Sequence, residues 1–200
     1  MDESIGESAR GHIYVIAGAL LLEADSLEDP TCAEMRQKVE AILNGREKPF
    51  RWKDEGVEKK GAMIGLIESE ACAIAAISEP GMRFHQRQMR AECLRSICVT
   101  LAEEGATSLV IESRREQDSD DTDTVQAAKK QELLPSSFPE PTFAGKEEPL
   151  LWLPDAIAGA IREGETQTNG SWTERLTKSQ AMIGLQRVQT RSDPGSRNHP

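Results

Sequence analysis

Apolar residues in this chain fall into short runs whose internal spacing alternates between strand-like and helical. Residues 12–22 (HIYVIAGALLL) are continuous, apolar and partly β-branched, the pattern of a buried strand. Over residues 31–43, Met35, Val39, Ile42 and Leu43 follow helical spacing, and Asn44-Gly45 supplies a stop. Residues 50–52 (FRW) read as a short strand, and 57–68 as a helix. ACAIAAIS at 71–78 reads as a second buried strand, closed by Pro80-Gly81. A long helix is predicted over 83–104, ending at Gly105. TSLVIES at 107–113 is the clearest strand, turning abruptly from apolar to charged. The acidic run 118–123 reads as a solvated loop, 124–133 as a helix and 138–143 as an edge strand, given its prolines. A last helix is predicted over 148–163. Strands alternating with helices predict an α/β sheet covered on both faces.

Length and charge narrow this picture. Two hundred residues suit one domain, here 2–187, with a polar, proline-containing tail at 188–200 expected to be disordered. A net charge of −10 argues against passive electrostatic attraction to nucleic acid. It leaves room for a cation-dependent nuclease, whose site is itself a carboxylate cluster. Cys32, Cys72, Cys93 and Cys98 form no C-x-x-C pair and no zinc spacing, so reduced, buried thiols are expected. The opening Met-Asp-Glu-Ser has no signal-peptide character, and no apolar run is long enough to cross a membrane. The expected compartment is the cytoplasm, with no membrane partner.

Three acids stand out by position. Asp2 and its neighbour Glu3 open the chain, Glu112 follows three apolar residues of a strand, and Asp155 lies on a helix with Leu150, Leu153, Ile157 and Ile161 as its apolar stripe. Gly159, one turn beyond Asp155, would permit a close approach on the same face. Pro154 favours a capping role for Asp155. Carboxylates at strand ends and on an inward-facing helix suit hard cations such as Mg²⁺ or Mn²⁺. Arg83, Arg87 and Arg90 continue the azimuth of Leu94, Ile97 and Leu101, so the core stripe becomes an arginine stripe aimed at a carboxylate cluster or a phosphate backbone. Other chemistries find no support. DSDDTD lacks the glycine and the glutamate of a calcium loop, His12, His85 and His199 are scattered, and no nucleophile motif or Gly-rich phosphate loop is present.

The segments DES at 2–4, FRWKDE at 50–55, VIESR at 110–114 and EPLLWLPDAIAGA at 148–160 resemble, in order and spacing, a bacterial group related to domain-of-unknown-function family 3800. The resemblance spans residues 2–164. It implies a ribonuclease H-like fold, a mixed sheet flanked by helices, and a metal-dependent nuclease-like phosphodiester hydrolase acting on nucleic acid. Asp2, Glu112 and Asp155 match the presumed metal-binding, catalytic acids, with Glu3 as a fourth ligand. Arg51, where many relatives carry histidine, and Arg83, Arg87 and Arg90 are the candidate phosphate contacts.

The chain departs from that pattern at its start. Relatives carry several apolar residues before D-E-S, forming the first strand, whereas Met1 stands directly before Asp2. The expectation is therefore a sheet lacking its first strand, with Asp2 on a fraying terminus. Two readings stay open: a Mg²⁺-dependent hydrolase, or a non-catalytic binding module or inactive truncated relative.

Overall fold

The structure, a computed structural model, describes residues 1–8, 11–22, 24, 26–44, 48–80, 86–166 and 171–189. Among these are six strands, β1 (Asp2–Ser8), β2 (Gly11–Leu20), β3 (Cys72–Ser78), β4 (Leu109–Glu112), β5 (Pro141–Ala144) and β6 (Met182–Val188). Six helices accompany them: α1 (Pro30–Ile42), α2 (Val57–Glu70), α3 (Gln86–Glu103), α4 (Asp118–Lys130), α5 (Trp152–Thr166) and α6 (Ser171–Lys178). The molecule is a mixed α/β sheet flanked by helices, as the alternating pattern predicts. None of the helices is long and apolar enough to cross a membrane.

Strands order as β1-β2-β3-β6, with β4 and β5 as a parallel pair beside them. β1 runs antiparallel to β2, and β2 to β3, while β6 lies parallel to β3. Met1 joins the two sheets. Its amino group donates to Val110 O at 2.6 Å, and its carbonyl accepts from Glu112 N at 3.0 Å. Two bonds straddling Ile111 are the pattern of a parallel ladder. The expectation of Asp2 on a fraying end is therefore corrected. Asp2 begins β1, pairs with Ala17, and is 8% exposed.

β2 and β3 are apolar at almost every position because both of their faces are covered. Val15, Ala17, Ala73, Ala75 and Ile77 face a core built with α1, α2 and α5. Tyr14, Ile16, Ile74 and Ala76 face the other, built with α3 and α4. Helix ends follow local chemistry. Asp29 caps α1 by accepting from Thr31 N at 2.9 Å, with Pro30 in the first turn. α3 stops at Gly105 (φ +74°), where Ala106 N bonds Leu101 O and Gly105 N bonds Ala102 O, closing the last turn.

Several expected elements differ. Residues 52–54 form a 3-10 turn rather than a strand, with Arg51 extended ahead of it. The acidic run 118–123 is helical, opening α4, where aspartates are favoured by the unpaired N–H groups of a first turn. Val188 closes β6, and residues 190–200 of the expected tail lie outside the described residues.

Gly159 fixes how α5 meets the 52–54 turn. A Cβ there would lie 2.2 Å from Cγ of Trp52, so what approaches closely is an indole rather than a backbone. Trp52 is 2% exposed, stacks edge-on with Trp172 at 5.9 Å, and carries Lys60 over its ring at 4.6 Å. Gly159→Ala should cost about 2 kcal/mol, since overpacking of this kind outweighs the ~1 kcal/mol helix gain of alanine. A lower urea midpoint at unchanged slope is the expected readout.

Candidate functional site

The pleat decides which side chains meet. Asp2 pairs with Ala17 and so shares the α5 face of the sheet, while Glu3 pairs with Ile16 and faces α3. On β4, Leu109 and Ile111 belong to the α3 core, which turns Glu112 to the α5 side. Because the Met1 bonds set Met1 opposite Ile111, Asp2 and Glu112 stand side by side on adjacent strands. Asp155 comes from the first turn of α5 above them. Pro154 sits in that turn, where its missing N–H has no intrahelical acceptor to lose. Asp155 does not cap its helix: its Oδ2 accepts from the backbone N of Trp52 at 2.8 Å. Asp2, Glu112 and Asp155 thus line one cavity of about 170 Å³.

Three carboxylates held this close, out of water, resist ionising together. Burial pushes Asp2 up to about 8, reinforced by the charges of Glu112 and Asp155 and by a side-chain hydrogen bond with Glu112. Burial also raises Asp155, against the hydrogen bonds from Trp52 N and the Asp2 carboxyl. Met1 does not supply the missing positive charge, because burial lowers its amine to about 6 despite Asp2 and Glu112 nearby. Lys146 Nζ lies 2.9 Å from Glu112 Oε1, but off the direction of a hydrogen bond, so this buried oxygen has no hydrogen-bond partner.

The donor set is all oxygen and suits a hard divalent cation. Among the described residues, however, no three acids, histidines or cysteines are already disposed around a common ion position. Burial and the neighbouring carboxylates instead favour a protonated Asp2. A cation would have to compete with the proton that burial keeps on Asp2 and with the Lys146 ammonium beside Glu112 Oε1.

Of the other predicted residues, Arg51 lines the cavity and is exposed. Glu3 reaches its edge, but its carboxylate is committed to Arg90 and Arg114. Arg90 does point at acids, as its stripe implies. It donates through Nε to Asp121 Oδ1 at 2.8 Å, and also bonds Glu3 and the Tyr14 hydroxyl, all in the α3 layer away from the cavity. Arg87 is largely exposed, 3.9 Å from Asp120, and Arg83 lies outside the described residues. Arg90 therefore braces the fold rather than lining the cavity.

The rim has cations that the sequence did not single out: Lys53, Arg114, Lys146 and Arg162. Arg162 had a legible signal, standing seven residues after Asp155 and so on the same helix face. Arg114 and Lys146 had none beyond nearness to β4 and β5. A larger cavity, about 250 Å³ between the ends of β2 and β4, is mostly apolar, and its Glu148 is paired with Arg36.

No protein-family model, curated protein or solved structure matches this chain.

Proposed function

We propose that this protein is a metal-dependent phosphodiester hydrolase of ribonuclease H-like architecture, acting on nucleic acid with Mg²⁺ or Mn²⁺ bound by Asp2, Glu112 and Asp155. The supporting observation is the convergence of three acids, distant in sequence, on one cationic-rimmed cavity. Their origins on β1, β4 and α5 follow the chain order of the segments that carry the family resemblance. Burying like charges beside one another costs stability, and natural sequences keep such arrangements where function requires them.

When bound, a hard divalent cation supplies Lewis acidity toward a phosphoryl oxygen and makes water more acidic. The chain's own residues do the rest. Trp52 N–H orients Asp155, and the Met1 bonds hold Asp2 beside Glu112. A bound cation would favour the ionised form of Asp2. Arg51, Arg114 and Lys146 at the rim take the phosphate oxygens, which places attraction for nucleic acid at the cavity mouth on an otherwise acidic surface.

The test is cleavage of single- and double-stranded oligonucleotides with Mg²⁺ or Mn²⁺, alongside calorimetric titration of Mn²⁺. Glu112→Gln is expected to lower kcat by roughly 100-fold or more and to weaken Mn²⁺ binding, since it removes one charged ligand. Cleavage that survives chelation, or that Glu112→Gln leaves intact, would sink the proposal.

One observation favours a second reading, a non-catalytic binding module: among the described residues no three acids, histidines or cysteines are disposed around a common ion position. In that case oligonucleotide binding would survive both chelation and Asp155→Ala, with no turnover.

A further inference from the structure

We propose that Arg162 forms a second phosphate subsite, binding the phosphate that neighbours the one cleaved; this rests on the hydrolase reading above. Arg162 lies on α5 two turns beyond Asp155, about 10 Å along the axis. Helical side chains lean toward the N-terminus, which brings its guanidinium back toward the acids. It lines both the carboxylate cavity and an adjoining depression formed by Ile5, Gly6, Gln86 and Thr166, with Glu7 and His12 at the outer edge.

Its Nε is buried and has no hydrogen-bond partner. A buried guanidinium N–H without an acceptor is costly, and such groups are rare unless something else supplies the acceptor. Nearby carboxylates are engaged elsewhere. Glu163 accepts from the Trp52 indole at 2.8 Å and from Lys60 at 3.0 Å. Glu165 pairs with Arg187, and Glu7 faces His12 at 3.6 Å.

Gly6 makes the placement possible. A Cβ at that position would stand 2.9 Å from Arg162 Cγ and 2.9 Å from Thr166 Cγ2, so the arginine stem crosses β1 over the glycine. Arg114, Lys146 and Arg162 thus line the same cavity as the acids. A guanidinium offers a planar pair of donors that matches phosphate oxygens.

The experiment measures binding without turnover. A short fluorescein-labelled oligothymidylate is titrated by anisotropy in Ca²⁺, together with a series carrying one neutral methylphosphonate at each linkage in turn. One linkage in the series should weaken binding to the wild-type protein about tenfold. Arg162→Gln should weaken the unmodified oligonucleotide to the same extent, lower the salt slope by about one, and make that linkage silent. Arg162→Lys should fall between. Equal affinity and equal salt slope in wild type and Arg162→Gln overturn the subsite. Should Arg162→Gln not fold, a flat methylphosphonate series with the wild-type protein overturns it instead. Hydrolysis of bis(p-nitrophenyl) phosphate by the wild-type protein with Mn²⁺ is followed separately. Its absence counts against the hydrolase reading, while the anisotropy series judges the subsite.

Discussion

Arg90→Ala is expected to cost this protein about 3–5 kcal/mol of stability, the usual penalty for removing one partner of a buried charge network. The guanidinium is 8% exposed and lies between Glu3 and Asp121, whose side chains are 3% and 2% exposed. Burial works to lower the Arg90 pKa, but the hydrogen bonds and charges of Asp121 and Glu3 outweigh it and raise it. On Glu3 the balance runs the other way. Burial raises its pKa, and the opposing charges of Arg90 and Arg114 do not offset that. The network is thus finely balanced while intact and costly once broken. Chemical unfolding should show a large fall in midpoint for Arg90→Ala. Adding Glu3→Gln and Asp121→Asn should recover much of the loss, because the stranded charges are then gone. A single variant that unfolds at the wild-type midpoint would show that the network is not buried as described.

The second large effect has the opposite sign: Asp2→Asn should stabilise the metal-free protein, increasingly so as pH rises. In the folded state Asp2 titrates near 8, against a usual value of 3.8. Between these limits the folded protein holds a proton that the unfolded chain has released, so wild-type stability falls as pH climbs through the window. Below it the penalty vanishes, and above it the penalty is complete. Asparagine cannot ionise and escapes it, while its carbonyl can still accept the Glu3 N–H that Asp2 Oδ1 now receives. At about pH 8 the gain should exceed ~2 kcal/mol, or on the order of 5 °C in Tm for a chain of this size. Near pH 4 the two proteins should melt together. Mn²⁺ should then raise the Tm of the wild type at alkaline pH more than that of Asp2→Asn. A pH-independent difference between the two proteins would mean that Asp2 is not the group that titrates.

The buried strands were readable because each of β2 and β3 carries its own signal. Runs such as VIAGAL and AIAAI are apolar on both faces and need no partner to be recognised. β1 carries none. In DESIGES only Ile5 is large and apolar, and the segment is a strand because β2 offers it a paired edge and Met1 ties it to β4. The start of α4, ahead of the predicted helix at 124–133, was hidden for a related reason. Its first turn is a run of aspartates that reads as solvent-facing until Asp121 is seen to turn inward to Arg90, with Asp118 accepting from Arg114 N at 2.7 Å. Glu112 could be picked out by where an apolar run stops, Asp155 by its place on an apolar helix, and Asp2 by the resemblance carried by D-E-S. Which cations surround them could not, because Arg114 and Lys146 reach the cavity only through the β4–β5 pairing. The arginine stripe was legible as a stripe, and its acidic target was foreseen in kind. Which acids those were depended on the face of β1 that Glu3 occupies.

Adjacent acids at the start of β1 therefore lead separate lives. Asp2 belongs to the cavity and Glu3 to the brace around Arg90, and only the pleat keeps them apart. A slip of β1 by a single residue against β2 would exchange them, sending the longer side chain into the cavity and the shorter one toward Arg90. Neither would then reach its partners. The clamp of Met1 on β4 and the pairing of Ser8 with Gly11 fix the strand at both ends. Inserting or deleting a residue within β1 should consequently dismantle the carboxylate cavity and the Arg90 brace at one stroke, whereas a change in the length of an outer loop would leave both in place.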